Sequence, residues 1–211
     1  MKKVRYEYNR GSACALSCYT MAAMYLWPEK NLTYDEVAKY ANWHKGFVVW
    51  GFPVWRWMMD QGAYITDYDV INYEAWTLQG VKGYQKTAAP EHADWVINHT
   101  FDMDEESKNI KLAFSHPNFT YVHKKVTWND VIIEHSKPGI CDITMNPEVF
   151  DKSRSGLHRV LLLDITNEEV VFHDPRAKGL DGACARLDIA TFRRASVEAG
   201  DQEICRYSLE E

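Results

Sequence analysis

The hydrophobic pattern of the chain changes period along its length, and this change predicts the fold class. Near the start, Ala13–Leu26 is an apolar run that predicts a helix and ends before a proline. Further along, Ile140–Met145, His158–Ile165 and Val170–Phe172 are β-type runs with apolar and branched residues. Helices followed by a set of antiparallel strands predict an α+β fold with a helical lobe and a β lobe.

Local start and stop signals predict the other elements. Thr33 and Glu36 form a capping-box pattern, in which each side chain accepts from the other residue's backbone N–H at a helix start. A glycine directly after Pro53–Gln61 predicts the end of a third helix. The remaining expectations are strands over Tyr64–Asn72 and Glu203–Leu209, and helices over Pro90–Phe101, Asp104–Ser115, Thr127–Ser136 and Asp188–Ala199.

Composition restricts the classes of partner. The 211 residues suffice for a hydrophobic core, and their formal net charge is −6 with no cluster of Lys and Arg. A surface of this charge argues against nucleic acid and anionic membrane as partners. The five cysteines are an odd, scattered set in a chain that needs no disulfide framework. We therefore expect reduced thiols and a cytoplasmic protein.

The first residues resemble a secretory signal in part. Met1–Arg10 is basic, and the apolar run Ala13–Trp27 follows it. However, Ser17 and Thr20 interrupt this run, no small-residue cleavage site follows, and the run is too short to cross a bilayer. We expect no cleaved signal peptide here.

Three residues that are far apart in the sequence carry the parts of a nucleophilic site. Cys14 opens the first helix, His158 begins a predicted strand, and Asp174 follows the next strand. Unpaired backbone N–H groups and the helix dipole stabilise a thiolate at a helix start, and a nearby imidazolium stabilises it further. A thiol, an imidazole and a carboxylate are the groups that papain-type enzymes use for covalent catalysis.

The predicted hairpin is consistent with contact between the imidazole and the carboxylate. His158 and Asp174 lie almost equally far from a turn centred near Thr166, so their side chains come out opposite or diagonal on one face. The rival residues His173 and Asp164 each face away from the partner they need if the alternation holds.

Two segments resemble a known family. Cys14–Tyr25 is similar to the nucleophile helix of the bacteriocin-processing (double-glycine leader) peptidase-like family of papain-like cysteine peptidases. Gly156–Asp164 and Val170–Pro175 are similar to the second block of that family, in which a His, a strand, a turn, a second strand and Asp-Pro follow in order.

The resemblance implies a bacterial thiol protease with one papain-like catalytic domain over residues 1–211. Residues 1–136 would form a mainly helical lobe with the nucleophile, and residues 137–211 a mainly antiparallel β lobe with the histidine and aspartate. Cys14 would be the nucleophile, His158 the base and Asp174 the residue that orients it. The substrate would be a peptide or a small acyl compound, and no cofactor would be needed. The family's usual oxyanion glutamine is absent, and Asn9 is its candidate replacement.

Other functions are also compatible with the sequence. The same three residues would serve an acyltransferase or transamidase. Ala15 and Leu16, which replace the usual Gly-Pro, favour a catalytically inactive module that binds a peptide. Cys14 and Cys18 lack the CxxC or HxxxH partners of a zinc site, so we expect no metal and interpret Cys18 as a packed thiol. The aromatic segment Trp43–Trp57 either packs between helices or lines a substrate groove.

Overall fold

A computed structural model of the protein describes residues 1–11, 13–88, 90–176, 182–199 and 203–210. Within these residues, helices cover both faces of a single seven-stranded sheet. The helices are α1 Cys14–Leu26, α2 Tyr34–Tyr40, α3 Phe52–Asp60, α4 Tyr73–Gln79, α5 Val81–Thr87, α6 Pro90–His99, α7 Met103–Phe114, α8 Trp128–Ser136 and α9 Ile189–Arg193. The strands are β1 Tyr64–Asp69, β2 Phe119–His123, β3 Ile140–Met145, β4 His158–Ile165, β5 Glu169–His173, β6 Ala185–Asp188 and β7 Ile204–Ser208.

The sheet is mixed, which corrects the expectation of an antiparallel sheet formed by the last part of the chain. Its strand order is β2-β1-β7-β3-β4-β5-β6, and β1 and β2 pair in parallel while the other neighbours are antiparallel. Strands β1 and β2 come from residues before 136. Their pattern is weak because β1 carries Asp67 and Asp69 at buried positions and β2 is an edge strand without a fully buried residue.

Alternate residues of the central strands point into two separate cores. In β4, Leu161 and Leu163 pack on the side of α1, whereas Val160 and Leu162 pack on the side of Phe192 in α9. A strand that is buried on both faces has a nearly continuous apolar sequence. Each fully buried side chain of this size contributes about 1.5–3 kcal/mol to stability. Helix α1 is thereby fixed directly against the strand that begins with His158.

The predicted helix signals are confirmed. The Thr33 and Thr127 side chains each accept from the backbone N–H three residues later. The side chains of those later residues, Glu36 and Asp130, accept in turn from the threonine backbone N–H, so both capping boxes are present. The predicted strand and helix bounds agree with the structure to within a few residues, except that α9 gives way to a π-helical turn over Arg194–Glu198. Helices α4 and α5 and strands β2 and β6 were not predicted. Among the described residues, no helix has the length and apolar character needed to span a membrane.

Candidate active site

Cys14 is the first residue of α1, and its half-buried thiol lies beside the first residues of β4. The Arg159 backbone N–H donates to Sγ over 3.4 Å. The preceding residue, His158, and the Ala15 backbone N–H both act to lower the pKa of the thiol. The N-terminal end of the helix therefore surrounds the sulfur with positive partial charge.

His158 connects the thiol to a carboxylate. Its Nε2 lies 2.6 Å from Asp174 Oδ1, which leaves Nδ1 as the ring nitrogen for Cys14. The strand register explains this contact. Leu161 pairs with His173, so His158 is placed diagonally to the residue that follows β5, as the hairpin argument predicts.

Asp174 is buried and is held by groups from several parts of the chain. Arg154 donates to both carboxylate oxygens, from Nη1 over 2.7 Å and from Nη2 over 3.1 Å. The Tyr6 hydroxyl donates to the Asp174 carbonyl oxygen over 2.8 Å. A Cβ on Gly182 would lie 1.9 Å from that carbonyl oxygen, so only glycine fits there. The carboxylate thus has a fixed position opposite His158.

The protonation equilibria of the site favour charge separation. Burial raises the pKa of the Cys14 thiol, but the hydrogen bond and charge of His158 and the backbone donors bring that pKa below its ordinary value. Burial lowers the pKa of His158, while the bonds to Asp174 and Cys14 raise it to about 9. Burial raises the pKa of Asp174, but His158 and Arg154 lower it overall. These shifts act in the direction of a thiolate–imidazolium ion pair.

Asn9 lies beside the start of α1. Its Oδ1 accepts from the Ala13 backbone N–H over 3.0 Å, and this bond identifies the amide oxygen because only oxygen accepts. The described residues include no hydrogen-bond partner for Asn9 Nδ2. Cys14, at the first position of α1, has a backbone N–H with no acceptor inside the helix. Both N–H groups are therefore candidates for an oxyanion hole.

Residues of the aromatic segment Trp43–Trp57 pack between helices and also line a cavity. Trp57 packs between helices, since its ring stacks on Tyr40 with 4.1 Å between centroids. Trp50 and Trp55 instead line a cavity of about 190 Å³. Leu157 and Arg159, the neighbours of His158, line the same cavity.

The rival residues lie apart from the site. His173 Nε2 donates to the Val4 carbonyl over 3.0 Å, and Asp164 pairs with the N-terminal amine at 3.3 Å. Cys18 is fully buried, as expected for a packed thiol. Cys14 and Cys18 belong to no metal-ligand cluster among the described residues; the one such group there is formed by Asp67, Asp69 and Glu203.

The role of Arg154 was missed by sequence reasoning. It lies in the loop before β4, and only the fold brings it to Asp174, 20 residues later. An arginine in a polar loop has no local pattern that distinguishes it from a solvated surface residue. Its contact could be found only from tertiary structure.

No protein-family model matches this chain, and no curated protein sequence is significantly similar to it. Functional inference therefore depends on the chemistry of the site itself.

Proposed function

We propose that this protein is a papain-like cysteine hydrolase that cleaves a peptide, or a related amide or thioester, through an acyl-enzyme on Cys14. The observation that carries the proposal is the position of the Cys14 thiol, 3.4 Å from the backbone nitrogen of Arg159 and so beside His158, whose Nε2 lies 2.6 Å from Asp174. A nucleophile at a helix start, packed against antiparallel strands that carry the base and its orienting carboxylate, also supports a papain-like arrangement.

In the first half-reaction, Cys14 Sγ attacks the carbonyl carbon of the substrate. The developing oxyanion accepts hydrogen bonds from the Cys14 backbone N–H and from Asn9 Nδ2. The His158 imidazolium donates its Nδ1 proton to the leaving amine or thiol as the scissile bond breaks. This step leaves a thioester on Cys14 and a neutral imidazole.

In the second half-reaction, water attacks the thioester carbonyl. His158 Nδ1 accepts the proton of that water, the carbon–sulfur bond breaks, and the product acid leaves. The thiolate–imidazolium pair is then restored. Asp174 stays ionised throughout, since Arg154 and His158 both lower its pKa. Its role is to hold the imidazole in place and to stabilise the imidazolium.

An activated ester tests this chemistry without a known natural substrate. Cys184 is the exposed thiol among the five cysteines, so the assay uses a Cys184→Ser background. With p-nitrophenyl acetate we expect a burst of one nitrophenol per protein, an acetyl group on Cys14 by mass spectrometry, and slower continuous turnover. Cys14→Ala abolishes the burst, and His158→Ala slows it by about 100-fold or more.

A buried thiol provides the matched control. Cys18→Ala, one helical turn from Cys14, leaves the burst unchanged because the Cys18 side chain is fully buried and out of reach of the ester. The proposal is wrong if acetylation is distributed over other residues, or if Cys14→Ala and the parent protein release nitrophenol at the same rate.

A further inference from the structure

A cavity of about 190 Å³ is lined by Leu157 and Arg159, the two sequence neighbours of His158. The backbone N–H of Arg159 also donates to Cys14 Sγ. Leu157 is 45% exposed, and Trp95, another lining residue, is 56% exposed. The cavity therefore has solvent-exposed residues in its lining on the side of the chain segment that carries His158.

The walls of the cavity are rich in aromatic rings. Trp50, Tyr73 and Tyr84 line it together with Tyr19 and Trp55. Trp50 and Tyr84 pack edge to face, with 6.1 Å between centroids. Aromatic faces attract ammonium and guanidinium groups, and several rings around one space are a typical binding site for an organic cation.

The inner end of the cavity is acidic. Asp69 and Glu203 line it, and one carboxylate oxygen from each of Asp67, Asp69 and Glu203 lies within 4.8 Å of the others. Asp67 is fully buried, yet neither of its carboxylate oxygens has a hydrogen-bond partner among the described residues. Native proteins leave few buried polar groups without a partner, so this carboxylate is a candidate contact for a ligand.

The positive charge near these acids is smaller than the negative charge. Arg159 pairs with Glu203 at 2.7 Å and with Asp142 at 2.8 Å. Arg159 thus pairs with two of the four carboxylates of Asp67, Asp69, Asp142 and Glu203. Burial and the neighbouring Glu203 and Asp69 raise the pKa of Asp67 well above its ordinary value.

We infer that this cavity binds a basic group of the substrate, an ammonium or guanidinium, with its charge directed at the Asp67, Asp69 and Glu203 cluster. The inference rests on the proposed function and specifies its substrate class: an acyl compound or peptide with a basic side chain next to the bond attacked. The hydrocarbon stem of such a side chain passes between the aromatic walls, and its charged end reaches the carboxylates.

A pair of probes that differ in charge tests this inference. Butylguanidinium and butylurea have nearly the same shape, but only the first is a cation. Binding is measured by calorimetry on Cys14→Ala, which cannot react. We expect butylguanidinium to bind at least about tenfold more tightly, and Asp67→Asn to remove most of that preference.

Two controls separate a specific organic-cation site from a general charge effect and from a metal site. Asp60→Asn removes an exposed carboxylate on α3 and leaves the affinity unchanged, so a general charge effect is excluded. Mg²⁺ and Ca²⁺ are titrated separately, since carboxylate oxygens also suit these ions. Equal affinity for the two probes, an unchanged preference in Asp67→Asn, or binding of a metal ion without binding of butylguanidinium each overturns the inference.

The result is independent of the acylation assay. If butylguanidinium fails to bind while p-nitrophenyl acetate acetylates Cys14, only the substrate class is wrong. If the probe binds but Cys14 is not acetylated, the hydrolase proposal fails and the cavity stands as a cation-binding site.

Discussion

Replacement of Asp174 by asparagine tests how the imidazolium is stabilised. Asp174 lies 2.6 Å from His158 Nε2, and their hydrogen bond is the largest contribution that raises the His158 pKa, to about 9. Two unit charges 4 Å apart interact by about 4 kcal/mol at an effective dielectric constant of 20, which corresponds to about three pKa units. Water at the partly exposed imidazole reduces this value. We expect the His158 pKa to fall by about two units in Asp174→Asn.

Arg154 adds to this expected fall in the pKa of His158. It contacts both oxygens of the Asp174 carboxylate, and in the asparagine variant its guanidinium charge is no longer neutralised. A cation near His158 disfavours the imidazolium. The double variant Asp174→Asn with Arg154→Gln therefore has a His158 pKa between those of the single variant and the parent. It also removes the unpaired buried charge that would reduce stability.

The assay is an NMR titration of protein labelled at the histidine Cε1 position, from pH 5 to pH 10. The protein has eight histidines, and the His158 signal is identified by its loss in His158→Gln. Asp164→Asn is the matched control, because this carboxylate pairs with the N-terminal amine and leaves the titration unchanged. A midpoint that stays near pH 9 in Asp174→Asn would refute the reasoning.

Three further predictions concern the surroundings of the site and the fold. Asn9→Asp keeps the oxygen that accepts from Ala13 but removes the Nδ2 donor, so nitrophenol release falls by about 100-fold while the protein melts normally by circular dichroism. Thr127→Ala breaks a capping box and lowers the free energy of unfolding by about 1 kcal/mol in urea titration. Burial raises the pKa of Glu106 to about 7, so its ionised form opposes folding above pH 7 and this effect disappears as the pH falls towards 4.5. Glu106→Gln therefore gains about 1–2 kcal/mol of stability at pH 8 and nothing at pH 4.5, and a gain of equal size at both pH values would contradict this account.

The parts of the site that could be predicted from sequence are those with local signals. Cys14 opens an apolar helix, and the symmetric spacing of His158 and Asp174 about a turn follows from strand geometry. The pairing register of the two strands determines the face of the sheet on which each side chain lies. Because a one-residue shift would expose the buried side chains, a buried sheet permits only one register. These local rules therefore predicted the contact between His158 and Asp174, whereas the place of Cys14 beside them was implied by the family resemblance.

The parts that were missed depend on long-range contacts. A strand over Tyr64–Asn72 was predicted, but its place between β2 and β7 was not, because Asp67 and Asp69 interrupt the apolar pattern of an interior strand. The ionised form of Asp67 is favoured by Arg159, which lies far along the chain, and Asp69 accepts from the Tyr73 hydroxyl. Burial of several charged groups is rare enough that a pattern-based prediction assigns such residues to the surface.

The pH dependence of Cys14 alkylation tests the central claim most directly. Iodoacetamide modification is followed by mass spectrometry in the parent protein and in His158→Ala, with the exposed Cys184 as the internal reference. Our account predicts modification at pH 6 that is fast, selective for Cys14 over Cys184, and lost in His158→Ala. Modification of Cys14 that rises only near pH 8.5 and is the same in both proteins would show that no thiolate–imidazolium pair exists.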